Sequence, residues 1–407
     1  MRLSKTFIKT LREAPKDEVA RNGALLSRAG YIHKELAGIY DYLPLGVSVI
    51  EKIKNIIREE LNAIGCEEVQ MSALQNPELW EATGRFSDQE VDIWFKTELA
   101  SGGTLGLAPT HEEPMTNMLK TYISSYKDLP LYVYQFQTKF RNELRAKSGV
   151  MRGREFLMKD LYSFHTSEDD LDIFYEKVEK TYARIFNRLG IGDSTFKTFA
   201  SGGIFSKFSH EYQTILPVGE DTIYYNADKS LVFNKEVFTD EVLAEFNANA
   251  NDFTEVKAAE VGNIFKLKHK YSKPLNLKYT SESNQEQYVY MGCYGIGVSR
   301  LMGVIAEKFA DEKGLVWPEE IAPFKYYLVG IGEKGIAEAE KLYKGHENEI
   351  LFDDREARPG EKFADAELIG IPYRVVISDK TLAEGKVELT SRRDGESKLV
   401  DLKELFV

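Results

Sequence analysis

Between residues 131 and 143 hydrophobic and polar positions alternate. Tyr132, Tyr134, Phe136, Thr138 and Phe140 share one parity, and Val133, Gln135, Gln137, Lys139, Arg141 and Glu143 share the other. A period of two puts the sets on opposite faces of a strand. The first face is aromatic and predicts a core. The second grows polar and ends with Arg141 and Glu143 side by side. A basic loop follows, with Arg145, Lys147, Gly149, Arg152 and Gly153, and a return strand sets Phe156, Met158, Asp160 and Tyr162 on one face. Elsewhere the period is helical. Val47, Ile50, Ile53, Ile57, Leu61 and Ile64 predict a helix over 45–64 that Gly65 ends, followed by a short strand over 69–74. Leu171, Phe174, Val178, Tyr182, Ile185 and Leu189 predict a second helix, opened by Ser167 and Asp170 in capping-box spacing. A strand over 288–294 runs into Gly295 and Gly297 and then a helix over 298–309.

The pattern changes after the prolines at 318 and 323. Strands over 326–331, 350–352, 373–377 and 386–390 alternate with helices over 334–343 and 362–369, and a short helix closes the chain. This predicts a small α/β domain around a mixed sheet, behind an α+β part built from antiparallel hairpins. The length of 407 residues allows two or three domains. A net charge of −12 argues against a polyanion partner, but a local stripe is enough to hold phosphates. Residues 139–159 form one such stripe, and Lys266, Lys268, Lys270 and Lys273 form another. No apolar run is long enough to span a membrane. The first fifteen residues carry four basic side chains but no apolar core, so they are not a secretory signal. Cys66 and Cys293 make neither a disulfide framework nor a zinc set, which fits a reducing cytosol.

A sheet floor carrying an arginine, a carboxylate and an aromatic ring suits a nucleotide. The same residues would also serve as a charged, aggregation-resistant sheet edge. Pro109-Thr110-His111-Glu112-Glu113 reads as a helix start with acids in the first turn. The glycines of 292–297 could open a dinucleotide-binding unit, but Arg300 stands where that pattern needs glycine. A cation in a first helical turn is unfavourable unless an anion faces it.

Arg141-Asn142-Glu143, a variable loop, and Arg152-Gly153-Arg154-Glu155-Phe156 together resemble motif 2 of the class II aminoacyl-tRNA synthetases. The wording of 139–165 is similar to prolyl-tRNA synthetases of the bacterial type. Residues 42–74 resemble motif 1, the dimer-forming element, with Ser72 where the family has proline. Residues 291–309 resemble motif 3. The resemblance implies an α+β catalytic domain with an antiparallel sheet over 1–320 and a smaller α/β anticodon-binding domain over 323–407. It implies ATP-dependent attachment of L-proline to tRNA(Pro) through a prolyl-adenylate, with Mg²⁺, in a cytoplasmic homodimer. Arg141, Glu143 and Arg300 would be catalytic. Thr110, Glu112, Arg141 and Tyr271 would bind the amino acid. Arg141, Glu143, Arg152, Phe156, His269 and Arg300 would bind ATP. Arg355, Arg358 and Lys362 would face tRNA, and Glu211 would stand near the metal.

Two departures stand out. Lys266, Lys268 and His269 replace the family's Gln, Gly and Thr, so either the cations add phosphate contacts or the strand has shifted. Only a short acidic segment, 238–261, occupies the place of a large editing insertion. A missing methylene discriminates by only about 1–3 kcal/mol, so some charging with alanine is expected. The alternatives are another class II synthetase of the same subgroup, and a non-catalytic synthetase-like protein that binds tRNA. The second would have lost the motif arginines, which are present. A nucleotide-cofactor oxidoreductase is opposed by Arg300 and by the lack of an N-terminal βαβ unit.

Overall fold

A computed structural model describes residues 1–144, 146–202, 208–402 and 405. Arg145, one of the predicted loop cations, lies outside them. The chain divides into two compact units, Lys54–Ala146 with Arg152–Val304, and Met1–Ile53 with Lys147–Met151 and Ile305–Val407.

The first unit is built on a nine-stranded sheet. Four central strands position the chemistry: β1 (Leu131–Phe140), β2 (Glu155–His165), β3 (Phe253–Lys268) and β4 (Tyr290–Gly297). They lie in the order β3-β4-β2-β1, all antiparallel. The register aligns Asn263, Gly295, Asp160 and Gln135 in one row, and Phe265, Cys293, Tyr162 and Val133 in another. Three helices frame the sheet's chemistry: α1 (Glu112–Leu119), α2 (Glu168–Arg188) and α3 (Val298–Phe309). The apolar stripe of α2 is buried as its period predicts, from Leu171 to Ile185. Ser167 caps it by accepting from the Asp170 amide (3.2 Å), but the Asp170 carboxylate turns to His165 Nδ1 (2.7 Å) instead of completing the box.

Several expectations are corrected. The β1 strand ends at Phe140 rather than 143, because the Glu143 amide turns back to the Arg141 carbonyl (2.7 Å). Arg141 and Glu143 therefore project from a turn, not from a strand face. The strand expected over 69–74 is replaced by two short ones, Glu67–Glu68 and Leu74–Gln75. Between them the backbone is captured by side chains of β1: Gln135 Oε1 accepts from the Met71 amide (3.1 Å), and Gln137 donates to the Met71 carbonyl. The 139–159 stripe reaches the surface only in its loop, where Lys147 is exposed and Arg152 and Arg154 are half-buried. Lys139 and Lys159 are both 0% exposed, since strands inside a sheet covered on both faces cannot offer either parity to solvent. In the short segment 238–261, residues 253–261 form the start of β3.

Lys159 donates to Tyr182 Oη (2.6 Å) and the Tyr294 carbonyl (2.9 Å), and among the described residues no carboxylate pairs with it. Burial lowers its ammonium to about 7. In the unfolded chain it titrates near 10.4, so between about pH 7 and 10 the unfolded state holds a proton that the folded state lacks. Stability from this group therefore rises with pH across that window, and the full cost is present below it. Urea midpoints between pH 7.5 and 9 should rise in the wild type and be flatter in Lys159→Met. An identical slope in both would remove Lys159 as the titrating group.

In the second unit a five-stranded mixed sheet runs Ile350–Asp353, Tyr326–Ile331, Tyr373–Ser378, Lys386–Ser391, Ser397–Asp401. Its first three strands are parallel, as the strand–helix alternation predicts. A strand, Ser397–Asp401, precedes the place of the expected terminal helix, which falls largely on 403–404 and 406–407, outside the described residues. The turn before it contains Asp394-Gly395, with Gly395 at φ +74°, a hairpin signal the sequence reading missed. Among the described residues, no helix is long and apolar enough to cross a membrane.

Candidate active site

The loop before α1 brings the first two predicted residues together. Thr110 Oγ1 donates to Glu112 Oε2 at 2.7 Å, and Cys293 Sγ donates to Glu112 Oε1 at 3.4 Å. Burial pushes the Cys293 thiol well above its usual range, so it is a protonated donor here and not a reactive thiolate. Glu112 and Glu113 do open a helix, but both are buried. Their counter-ion is Arg85, whose Nη1 lies 2.9 Å from Glu113 Oε1 and 3.6 Å from Glu112 Oε2. Arg85 also donates to Tyr271 Oη (2.7 Å), which fixes another predicted residue beside the pair. Burial pushes the Glu113 carboxyl upward, and Arg85 opposes this. No periodicity or motif wording marks Arg85 in the sequence.

Arg141 donates from Nε to the Pro109 carbonyl at 3.2 Å, and its guanidinium lies 5.3 Å from the centre of the Phe156 ring. It makes no ion pair among the described residues. Burial first, and then the Arg300 charge, lower its pKa. A partly buried guanidinium with no carboxylate favours an arriving anion.

A buried polar relay, also missed in the sequence, fixes this arrangement. Lys139 Nζ bonds His111 Nδ1 (2.5 Å) and Asp160 Oδ2 (2.9 Å). His111 Nε2 faces the Ser72 carbonyl at 3.0 Å, which only accepts, so Nε2 carries the proton and Nδ1 accepts from the ammonium. Burial, with Lys139 next, lowers His111 to about 4 and keeps it neutral. Asp160 Oδ2 also accepts from Gln135 Nε2 (3.0 Å) and Tyr162 Oη (3.0 Å). The relay ties the 72 segment, the 109–113 loop and the β1 end that carries Arg141.

The other motif arginines Arg152 and Arg300, unlike Arg141, pair with carboxylates. Arg152 holds Glu143 Oε2 in a fork through Nε (3.1 Å) and Nη2 (2.9 Å), and reaches Glu220 through Nη1 (2.6 Å). Arg300 Nη1 donates to the Glu260 carbonyl at 2.8 Å and lies 3.3 Å from its carboxylate. The glycines of β4 matter sterically, since a Cβ at Gly295 would meet Asn263 Oδ1 at 2.9 Å and one at Gly292 would meet Tyr294 Oη at 2.3 Å. Glu211 accepts from Gln213 (2.9 Å) and Asn234 (3.0 Å). Burial and then Glu260 raise its carboxyl to about 7. A carboxylate raised by a neighbouring one suits a divalent cation completed by substrate phosphates. No described set of three donors converges at Glu211, the one such group being the exposed His33, Glu35 and Asp41. His210 is structural, bonded to Tyr175 Oη (2.9 Å).

The Lys266–His269 departure resolves toward a shifted strand. The β3–β4 register is irregular between Lys266 and Lys268, and Lys268 has φ +51°. Lys266 pairs with Asp172 (2.8 Å) and Lys268 with Glu168 (2.6 Å), both on α2, so neither is offered to a phosphate. His269 contacts the Val289 carbonyl (3.2 Å) and the Tyr290 ring. In the second unit Arg355, Arg358 and Lys362 line one cavity of about 550 Å³. Arg355, however, is forked onto Asp353 (2.7 Å) and Asp365 (2.7 Å), and Lys362 is buried on the Asp353 carbonyl (3.0 Å). A second cavity, of about 380 Å³, contains Arg374, Glu367 and Thr390. Arg374 lies 4.4 Å over the Phe363 ring, donates from Nη2 to Thr390 Oγ1 (3.4 Å) and stands 4.0 Å from Glu388, while its buried Nε has no hydrogen-bond partner among the described residues.

Residues 95–309 match the tRNA synthetase class II core domain (G, H, P, S and T), and residues 325–406 match the anticodon binding domain. The proline–tRNA ligase of Ehrlichia ruminantium is 39% identical over 423 residues, spanning all of this chain and 99% of that one. The proline–tRNA ligase of Wolbachia pipientis wMel is 38% identical over 99% of this chain and 98% of its own. Among solved structures, the prolyl-tRNA synthetase of Cryptosporidium parvum, complexed with halofuginone and AMPPNP, has a TM-score of 0.77 at 18% identity, covering 94% of this chain and 74% of that one. The Giardia lamblia prolyl-tRNA synthetase, in complex with prolyl-adenylate, has a TM-score of 0.76 at 19% identity over 94% of this chain and 75% of its own. The match to the class II core, the match to the anticodon-binding domain and full-length relatives of one kind agree: the chain belongs to the proline–tRNA ligase family of class II aminoacyl-tRNA synthetases.

Proposed function

We propose that the chain activates L-proline with ATP and transfers it to tRNA(Pro), using Arg141, Thr110 and Glu112 as the centre of the site. One observation carries this. Arg141, a guanidinium without a carboxylate, is bonded to the carbonyl of Pro109, next to the residue that pairs with Glu112. An anion-seeking cation is thus tied to the loop that carries an ammonium-seeking carboxylate, matching the two charges of an amino acid. Thr110 Oγ and Glu112 accept the two N–H bonds of the secondary ammonium. Arg141 holds the substrate carboxylate and the α-phosphate. The carboxylate oxygen attacks the α-phosphorus and pyrophosphate leaves. The terminal adenosine hydroxyl of the tRNA then attacks the prolyl carbonyl and AMP leaves. No enzyme nucleophile is required, and catalysis is positioning with charge stabilisation.

Phe156 stacks on adenine. Glu143 exchanges its Arg152 partner for the adenine amino group, freeing Arg152 for phosphate. Arg300 meets the distal phosphate. Mg²⁺, held by Glu211 with Glu260 nearby, would neutralise phosphate charge. His269 enters this reading only as a support for the 269–272 turn that carries Tyr271. Residues 1–320 form the catalytic domain and 323–407 the anticodon-binding domain. The assembly is a cytoplasmic homodimer, on the resemblance of 42–74 to motif 1. Formation of prolyl-tRNA(Pro) from ATP, proline and tRNA, with release of AMP and pyrophosphate, tests the reading. Absence of that product from folded protein would contradict it.

For the RNA, Arg374 is a better anticodon ligand than Arg355 or Lys362, which are committed to Asp353. Its guanidinium is stacked on a ring and held at Nη2 only by a long bond to Thr390 (3.4 Å) and a 4.0 Å contact with Glu388, so that end can turn to a base edge. Arg374→Ala should lower kcat/KM for tRNA by about tenfold or more, well beyond its effect on adenylate formation. Arg355→Ala should act chiefly by lowering the thermal midpoint. The reverse ranking would return the anticodon site to the first cavity.

A further inference from the structure

Glu113 is 0% exposed and adjoins the carboxylate assigned above to the substrate ammonium. Its Oε1 accepts from Arg85 Nη1 at 2.9 Å and from Thr83 Oγ1 at 2.8 Å. The same Nη1 stands 3.6 Å from Glu112 Oε2. The guanidinium cannot swing clear, because it is packed 5.0 Å from the Trp80 ring and 5.4 Å from the Tyr271 ring, and bonds the Tyr271 hydroxyl. One trapped cation therefore faces two adjacent carboxylates and lies closer to the deeper one. An amino-acid substrate brings a second cation to this place. With Glu113 holding Arg85, one negative charge, that of Glu112, is left for it. Without Glu113 the guanidinium would fall to Glu112 and compete with the ammonium.

We propose that Arg85 and Glu113 form a built-in counter-ion pair that sets the pocket's selectivity for an ammonium-bearing substrate, with Glu113 keeping Arg85 off Glu112. Neither residue touches the reacting atoms. Both are positioning residues that act through Glu112. The inference rests on the proline-activation reading and adds to it the reason the pocket contains two acids and an arginine where one acid would bind an ammonium. A neutral acceptor at 113 keeps the shape of the pair but weakens its hold on the guanidinium.

The test compares wild type, Glu113→Gln and Glu113→Gln/Arg85→Met in pyrophosphate–ATP exchange, reading KM for proline and for ATP separately, together with thermal midpoints. Tetrahydrofuran-2-carboxylate, which has the ring and carboxylate of proline but an ether oxygen for the ammonium, is titrated as an inhibitor. In Glu113→Gln the KM for proline should rise by about tenfold or more, the size of one charge-assisted contact. The KM for ATP and the inhibition constant of the ether should each move by less than about threefold. Removing the guanidinium as well should bring the KM for proline back toward wild type. A proline KM unchanged in Glu113→Gln, a parallel rise for proline, ATP and the ether, or a double variant worse than the single one would each overturn the proposal. If the double variant gives no cooperative melt, Glu113→Gln/Arg85→Gln, which keeps donors without the charge, replaces it with the same two outcomes. A folded wild type inactive with proline would sink the proposed function and this inference together, whereas an active wild type with additive variants sinks this inference alone.

Discussion

Arg141→Ala should lower proline-dependent pyrophosphate–ATP exchange by about 10²–10³-fold, the roughly 3–4 kcal/mol that one preorganised donor supplies to a transition state. The reason lies in what the side chain does not do. It has no carboxylate among the described residues, and its one described hydrogen bond, to the Pro109 carbonyl, aims it rather than neutralises it. Burial without a partner lowers its pKa and raises its attraction for an anion. Arg141→Lys keeps the charge but loses the fork, and should recover only part of the activity. The thermal midpoint of Arg141→Ala should equal or exceed that of the wild type, because no ion pair is lost. Exchange within about threefold of wild type, well short of one donor's worth, would remove Arg141 from the centre of the site.

The opposite profile is expected two residues earlier. Lys139 and Asp160 are 0% and 2% exposed, and the ammonium is satisfied by Asp160 and His111. Lys139→Met leaves a buried carboxylate with only Gln135 and Tyr162 as donors. Breaking such a pair from one side typically costs about 3–5 kcal/mol, and removing both charges costs much less. Lys139→Met should therefore lower the urea midpoint strongly, and Lys139→Met/Asp160→Asn should recover part of the loss. A single substitution costing under about 1 kcal/mol would show that the pair is not under burial strain. Activity should fall in both variants, since the His111 link between the 109–113 loop and β1 is cut.

How much of this was legible in the chain depends on the type of signal. Periodicity found the helix over 167–189, the β1–β2 hairpin and the parallel strands after residue 325, because each buries one face with a fixed period. It could not see that β1 lies inside a sheet covered on both faces, so Lys139 and Lys159 looked like surface charge. It extended β1 through Glu143 because alternation continues in sequence after the backbone has turned. Motif wording located Thr110, Glu112, Arg141 and Arg300, which fall in one compact unit. It could not see that Arg355 and Lys362 are bonded to Asp353, since those contacts are set by the fold of the second unit. Arg85 was invisible for a different reason. Its partners, Glu112, Glu113 and Tyr271, are set by tertiary packing over as many as 186 positions of separation. The Lys266–Lys268 change was visible as a departure, but its resolution into a strand irregularity and two ion pairs with α2 needed the register.

The most direct test of the central claim is pyrophosphate–ATP exchange by the wild-type protein with each of the twenty amino acids in turn. The account predicts exchange with proline far above all others, with alanine a weak second, because Thr110 and Glu112 present two acceptors to a secondary ammonium in a small pocket. A stronger signal with any other amino acid, or none with proline, would contradict it.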